Sequence, residues 1–133
     1  MSQQMTVCFP GGKRIRADYA GFQIHTDQSR DNGGEAGAPE PFDLFFASLA
    51  TCAGHYVNSF CAEREIPTDR IRLVQSWTRD DKRMLKQIRI EIRVPTDFPD
   101  KYHKALVRAA EQCSVRRLFD SPPEIETRVT VDG

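Results

Sequence analysis

Four cysteines hold the clearest chemical potential in this chain: Cys8, Cys52, Cys61 and Cys113. A cysteine thiolate is a strong nucleophile near neutral pH, whereas the thiol is not. The intervals between the four are 44, 9 and 52 residues. None is a C-x-x-C pair and none has zinc-finger spacing, so neither a thioredoxin-type motif nor a metal site is expected. His55 lies three residues after Cys52. On a helix that spacing lets an imidazole couple to a thiolate, but plain packing produces the same spacing. His25 and His103 have no partner in sequence. Cys8 and Cys61 read as bystanders. Cys52 and Cys113 both sit in apolar surroundings, where cysteine is commonly a small buried hydrophobe. Residue types alone leave the chemical and the structural reading of these two open.

The elements that must position them are easier to read. From Pro41 to Ala62 there are 22 residues and one formal charge, Asp43. Pro41 suits a first helical turn, where its missing N–H has no helical partner. The helix should run from about Pro41 to about Glu65, with Pro67 just beyond. Its length suggests a membrane span, but Asp43, His55, Asn58 and several small polar residues point to a buried core helix. At about 100° per residue, Phe45, Ser48, His55, Tyr56 and Ser59 share the face of Cys52, and Asp43 falls opposite. Phe98-Pro99-Asp100 opens a second helix, expected to end near Phe119. Tyr102, Leu106, Ala109 and Cys113 form its apolar stripe.

Strands surround these helices. Met5, Val7 and Phe9 alternate with polar neighbours, and Arg14–Ala17 and Phe22–His25 continue the pattern after turns at Pro10-Gly11-Gly12 and Gly21. Residues 29–41 read as a loop rich in Gly, Asn and Pro. Ile71, Leu73 and Trp77 share one parity. After a turn at Asp80-Asp81-Lys82, Ile88, Ile90, Ile92 and Val94 alternate with Gln87, Arg89, Glu91 and Arg93, which is the pattern of a half-buried strand. Ile125, Thr127, Val129 and Val131 predict a last strand. Three strands, helix, two strands, helix, strand is an α+β order, read as a single domain over residues 1–133.

Composition sets the function classes. The 133 residues carry 19 basic and 19 acidic side chains, a balance that argues against binding nucleic acid through general electrostatics. Apolar residues at 39% and charged residues at 29% fit a globular domain, not a disordered chain. Met1-Ser2-Gln3-Gln4 has no basic n-region and no apolar run after it, so a cytoplasmic location is expected. Structural disulfides are rare there, which makes any disulfide transient and chemical.

The segment Gly37-Ala38-Pro39-Glu40-Pro41-Phe42-Asp43-Leu44-Phe45-Phe46-Ala47-Ser48-Leu49-Ala50-Thr51-Cys52 resembles the first signature of the OsmC/Ohr superfamily. Leu106-Val107-Arg108-Ala109-Ala110-Glu111-Gln112-Cys113-Ser114-Val115 is similar to its second. The resemblance covers essentially the whole chain and lies closer to the OsmC-like branch than to Ohr. It implies an OsmC-like fold: a mainly antiparallel sheet of about six strands with two long helices, assembled as an intertwined homodimer. The implied activity is thiol-dependent reduction of organic hydroperoxides. Cys52 matches the peroxidatic cysteine and Cys113 the resolving one, with a lipoyl-type dithiol as reductant and no metal, flavin or other cofactor. A non-catalytic small-ligand-binding protein on the same scaffold is the alternative. Neither reading calls for nucleic acid or a membrane as partner. Family peroxidases carry a Glu ten residues before the first Cys and an Arg in the N-terminal hairpin. Here Phe42 stands at the Glu position with Asp43 one step on, and Lys13 and Arg14 lie near the Arg position. Ser114 follows Cys113 where many relatives have Pro.

Overall fold

The computed structural model describes residues 3–133, and it divides into two compact units, Met1–Ala47 and Ser48–Gly133. In the first, β1 (Thr6–Gly11), β2 (Arg14–Tyr19) and β3 (Phe22–Thr26) form an antiparallel meander, with Cys8 opposite Arg16 and Ala17 opposite Ile24. Gly12, at φ 58°, turns β1 into β2 in the left-handed region that glycine enters without steric cost.

The loop after β3 closes around one carboxylate. Asp27 is 2% exposed, and its two oxygens accept the backbone N–H groups of Gln28 (2.8 Å), Glu35 (3.3 Å) and Gly37 (3.1 Å). Its own N–H donates to the Pro39 carbonyl at 3.1 Å, so the loop's two ends meet at this residue. The Gly37 and Gln28 N–H groups lead in holding the Asp27 carboxyl below its ordinary range, with Glu35 and the Arg14 charge adding to them. Gly34 lies where a Cβ would stand 2.1 Å from the Gln28 carbonyl oxygen, so only glycine fits. The loop delivers the chain to α1 (Pro41–Glu63). There the Asp43 carboxylate accepts the Glu40 N–H at 2.9 Å, satisfying a donor at the helix start.

α1 ends two residues before the expected Glu65. In the second unit it buries Leu49, Ala53, Val57, Phe60 and Cys61, at steps of four, four, three and one. Ser48, Thr51, His55 and Asn58 are exposed. The helix is therefore amphipathic by size as much as by polarity, with small polar residues on its open face. β4 (Arg72–Arg79) and β5 (Leu85–Arg93) make the antiparallel hairpin, pairing Leu73 with Ile92 and Trp77 with Ile88. The Asp80 carboxylate accepts the Lys82 and Met84 N–H groups at 2.9 Å each and shapes its turn. Ile88, Ile90 and Ile92 are half-buried between exposed Gln87, Arg89, Glu91 and Arg93, as the alternation predicts. Val57, Phe60, Cys61, Phe98 and Leu106 form the core of this unit.

Two expectations are corrected. The second helix is not continuous to Phe119. A single 3₁₀ turn, Asp100–Tyr102, leads into α2 (His103–Ala110), and the chain breaks before α3 (Ser114–Arg117). At the break Cys113 leaves the helical region (φ −47°, ψ 121°), and its sulfur accepts the Arg116 N–H at 3.4 Å. The last strand also does not form: Ile125, Val129 and Val131 are 86–93% exposed and join no ladder. Alternation supplies strand propensity, but a strand needs a partner for its N–H and C=O groups. Five strands thus form among the described residues, in a sheet of three and a sheet of two. No helix among the described residues is long and apolar enough to cross a membrane.

Candidate active site

Cys52 sits midway along α1, half-buried, and Cys113 is 1% exposed at the break between α2 and α3. The two are 61 positions apart in sequence, and the fold brings them close enough for each thiol to bear on the other's ionisation. Both are free thiols. The break matters locally. Ser114 and Val115 begin α3, so their N–H groups have no carbonyl one turn earlier in that helix to bond. They favour an anion at the Cys52 sulfur, which the Ser114 hydroxyl reaches at 3.5 Å.

The electrostatic consequence differs for the two thiols. The Ser114 hydroxyl above all, then the Val115 N–H, and after them the Cys113 thiol and the Ser114 N–H, pull Cys52 down to about 7. Burial pushes Cys113 up, and the hydrogen bond it shares with Cys52 pushes the same way, against the N–H of Arg116. The Cys113 S–H also lies 3.8 Å from the Leu49 carbonyl oxygen. Near neutral pH the pair is one partly ionised thiol beside one protonated thiol. That is the asymmetry a nucleophile and its resolving partner need.

The other sequence candidates fall outside this pair. His55 is exposed and packs edge-on to Tyr56, with ring centroids 5.2 Å apart, and is not a hydrogen-bond partner of Cys52. Asp43 caps the start of α1, and Arg14 acts on Asp27. Cys61 is fully buried in the core, where burial raises its pKa. Phe60 is core, stacked edge-on with Tyr102 at 5.7 Å beneath the Arg64 guanidinium. Among the described residues no group of three or more His, Cys, Asp or Glu side chains stands together to hold a metal ion. Sequence reasoning missed Ser114 as a partner of Cys52. Its only sequence signal is that it replaces a common Pro, which has no hydroxyl and no N–H to give.

A groove of about 570 Å³ opens beside Cys113. Leu49 and Ala53 of α1, Ile88, Ile90 and Ile92 of β5, and Val107 and Ala110 of α2 line it. Lys86, Glu111 and Arg116 are its charged members, and Arg116 bonds Glu111 at 2.8 Å. Its walls are mainly aliphatic, with Phe119 an aromatic member.

Comparison with known proteins adds to this geometry. A family model described as OsmC-like protein matches residues 33–128. No curated protein matches the chain in sequence. Several solved structures share its fold. One is a candidate osmotic stress-induced and detoxification response protein from Psychrobacter arcticus 273-4 (26% identity, 88% of this chain and 87% of that one, TM-score 0.74). Another is an OsmC-like protein from Mycoplasma pneumoniae (14% identity, 92% and 89%, TM-score 0.71). A third is an organic hydroperoxide resistance protein from Legionella pneumophila (20% identity, 89% and 90%, TM-score 0.56).

Proposed function

From the premise that this chain belongs to the OsmC-like protein family, we propose that it is a thiol-dependent hydroperoxide reductase, with Cys52 as the attacking and Cys113 as the resolving cysteine. The observation that carries the reading is the split between the two neighbouring thiols, Cys52 pulled down to about 7 and Cys113 pushed up. The structural relative from Legionella pneumophila named for organic hydroperoxide resistance supports the substrate class.

The chemistry follows from that split. The Cys52 thiolate attacks one oxygen of the O–O bond. An S–O bond forms, the O–O bond breaks, and the departing alkoxide takes a proton to leave as an alcohol, with Cys52 oxidised to a sulfenic acid. Cys113 then attacks the Cys52 sulfur, its proton leaves with the hydroxyl as water, and a Cys52–Cys113 disulfide remains. A small dithiol of the lipoyl type reduces it by two exchanges and carries the disulfide away. This cycle needs no metal or flavin. It also needs both thiols returned to the reduced state, which suits the cytoplasm.

The working unit in this reading is a homodimer of one OsmC-like domain spanning residues 1–133. Two apolar rows support it: Met5, Val7 and Phe9 at 50–80% exposure, and Ile125, Val129 and Val131 at 86–93%. Alternating apolar residues left in water call for a covering partner. Sedimentation at micromolar concentration should show a dimer.

The deciding experiment follows thiols and hydroperoxide together. Cys52→Ser should lose hydroperoxide consumption altogether, since an alcohol is no nucleophile at neutral pH. Cys113→Ser should consume one equivalent and leave a sulfenic acid that a dimedone-type reagent traps. Full dithiol-driven turnover by Cys113→Ser removes the resolving role. The groove supports one other reading, a small-ligand-binding protein, because its volume is within the range of ligand pockets, about 300–1,000 Å³. Ligand binding without loss of thiols on hydroperoxide treatment would select it.

A further inference from the structure

Ser114 occupies a position that neither the family match nor the catalytic pair accounts for. It is exposed, directly follows the buried Cys113, and turns its side chain back onto Cys52, 62 residues earlier, with Oγ 3.5 Å from Sγ. A thiolate has no proton to donate, so in the ionised state the hydroxyl must be the donor. The remaining neighbours that favour the thiolate are also neutral: the N–H groups of Val115 and Ser114 and the thiol of Cys113. No guanidinium or ammonium is among them.

We propose that Ser114 is the activating residue for Cys52, its hydroxyl holding the sulfur as a thiolate by a charge-assisted hydrogen bond where relatives place an Arg and a Glu. The proposal rests on the reading of Cys52 as the attacking thiol. Geometry gives the arrangement a further property. Activator and resolving thiol are consecutive residues of one break, so the segment that prepares Cys52 for attack also delivers Cys113 to the product. The break supplies this because Cys113 leaves the helical region there and the hydroxyl of the next residue meets the Cys52 sulfur. A hydrogen bond to a charged group is among the stronger ones, and its loss moves a titration by about one unit.

The test is a pH titration of thiolate ultraviolet absorbance in the reduced protein, with the step near neutrality assigned to Cys52 by its disappearance in Cys52→Ser. Ser114→Ala should raise that midpoint by about one pH unit, and Ser114→Thr, which keeps the hydroxyl, should hold it within about 0.3 unit of the parent. An unmoved midpoint in Ser114→Ala, or an equal shift in Ser114→Thr, overturns the proposal. The titration requires no turnover, so the two readings fail separately. A protein that consumes no hydroperoxide but responds to Ser114→Ala loses the peroxidase reading and keeps the activator. One that turns over but does not respond loses the activator alone.

Discussion

Asp27 and Cys52 are both surrounded by donors that a turn directs at one atom or group, and the results differ. Around Asp27 three backbone N–H groups of a tight loop meet a carboxylate that is 2% exposed. Around Cys52 a hydroxyl, two N–H groups and a thiol meet a half-buried sulfur. Each set favours the anion and lowers the pKa. The carboxyl begins at 3.8 and is held lower still, so it is ionised throughout the working range and the donors serve to fix the loop. The thiol begins at 9.0 and arrives at about 7, so the same device changes which species is present in the working range. Whether such a turn is structural or chemical is decided by the starting pKa of the group it encloses.

The largest effect expected on this contrast comes from Gly34→Ala. A methyl group there meets the Gln28 carbonyl oxygen at 2.1 Å and carbon at 2.6 Å, both backbone atoms that cannot step aside alone. Overpacking of this kind costs roughly 3 kcal/mol, the upper end of its usual range. Urea unfolding should show it as a lower midpoint. The Cys52 titration should stay at about 7 in the molecules that remain folded. If that midpoint shifts as well, the loop is part of the thiol chemistry and the contrast breaks.

A smaller, pH-dependent effect is expected of Asp27→Asn. The amide has one acceptor oxygen for three N–H donors, and its NH₂ faces one of them. The folded-state pKa of Asp27 is depressed, so its stabilisation is fully present above the unfolded carboxyl's 3.8 and is lost as pH falls through the folded value. Wild type should therefore exceed the variant in urea midpoint near neutrality, and the gap should close as the solution becomes strongly acidic. A gap independent of pH would mean that the carboxylate's charge plays no part.

Much of the scaffold is legible in the residues. Pro41 and the nearly uncharged run after it mark α1 to within two residues of its end, and the Ile88–Ile92 alternation marks β5 and its solvated face. The break at Cys113 is not legible, because neither Pro nor Gly marks it and the stripe of Tyr102, Leu106, Ala109 and Cys113 continues the helical period across it. The wheel around Cys52 could name only residues of its own helix, Phe45 and His55 among them. Its hydrogen-bond partners came from another segment, which periodicity cannot report. Ile125–Val131 shows the converse: a clear alternation that finds no ladder among the described residues. The Asp27 loop was readable as a loop from its Gly and Asn content, while the acid that organises it stands in Thr26-Asp27-Gln28, a sequence with no motif.

The smallest expected effect is also the most specific to the contrast, because it changes sign with pH. At about pH 7 a thiol with its midpoint there is about half thiolate, while an ordinary one at 9.0 is about one per cent thiolate, a fiftyfold difference in reactive species. Nucleophilicity falls as pKa falls, with a Brønsted slope of about 0.4–0.5, so two units make each Cys52 thiolate roughly six- to tenfold less reactive toward a disulfide. The net advantage over a cysteine in an unstructured peptide is then only about five- to eightfold near neutrality. At about pH 10 both thiols are ionised, the population advantage is gone, and the peptide should react roughly six- to tenfold faster. The measurement is the initial release of thiol from a neutral dipyridyl disulfide across this range, for the protein and the peptide side by side. Crossing rate profiles are what donors around a titrating sulfur produce. Parallel profiles would mean that Cys52 differs from the peptide only in access, and the turn after Cys113 would then be as structural as the loop around Asp27.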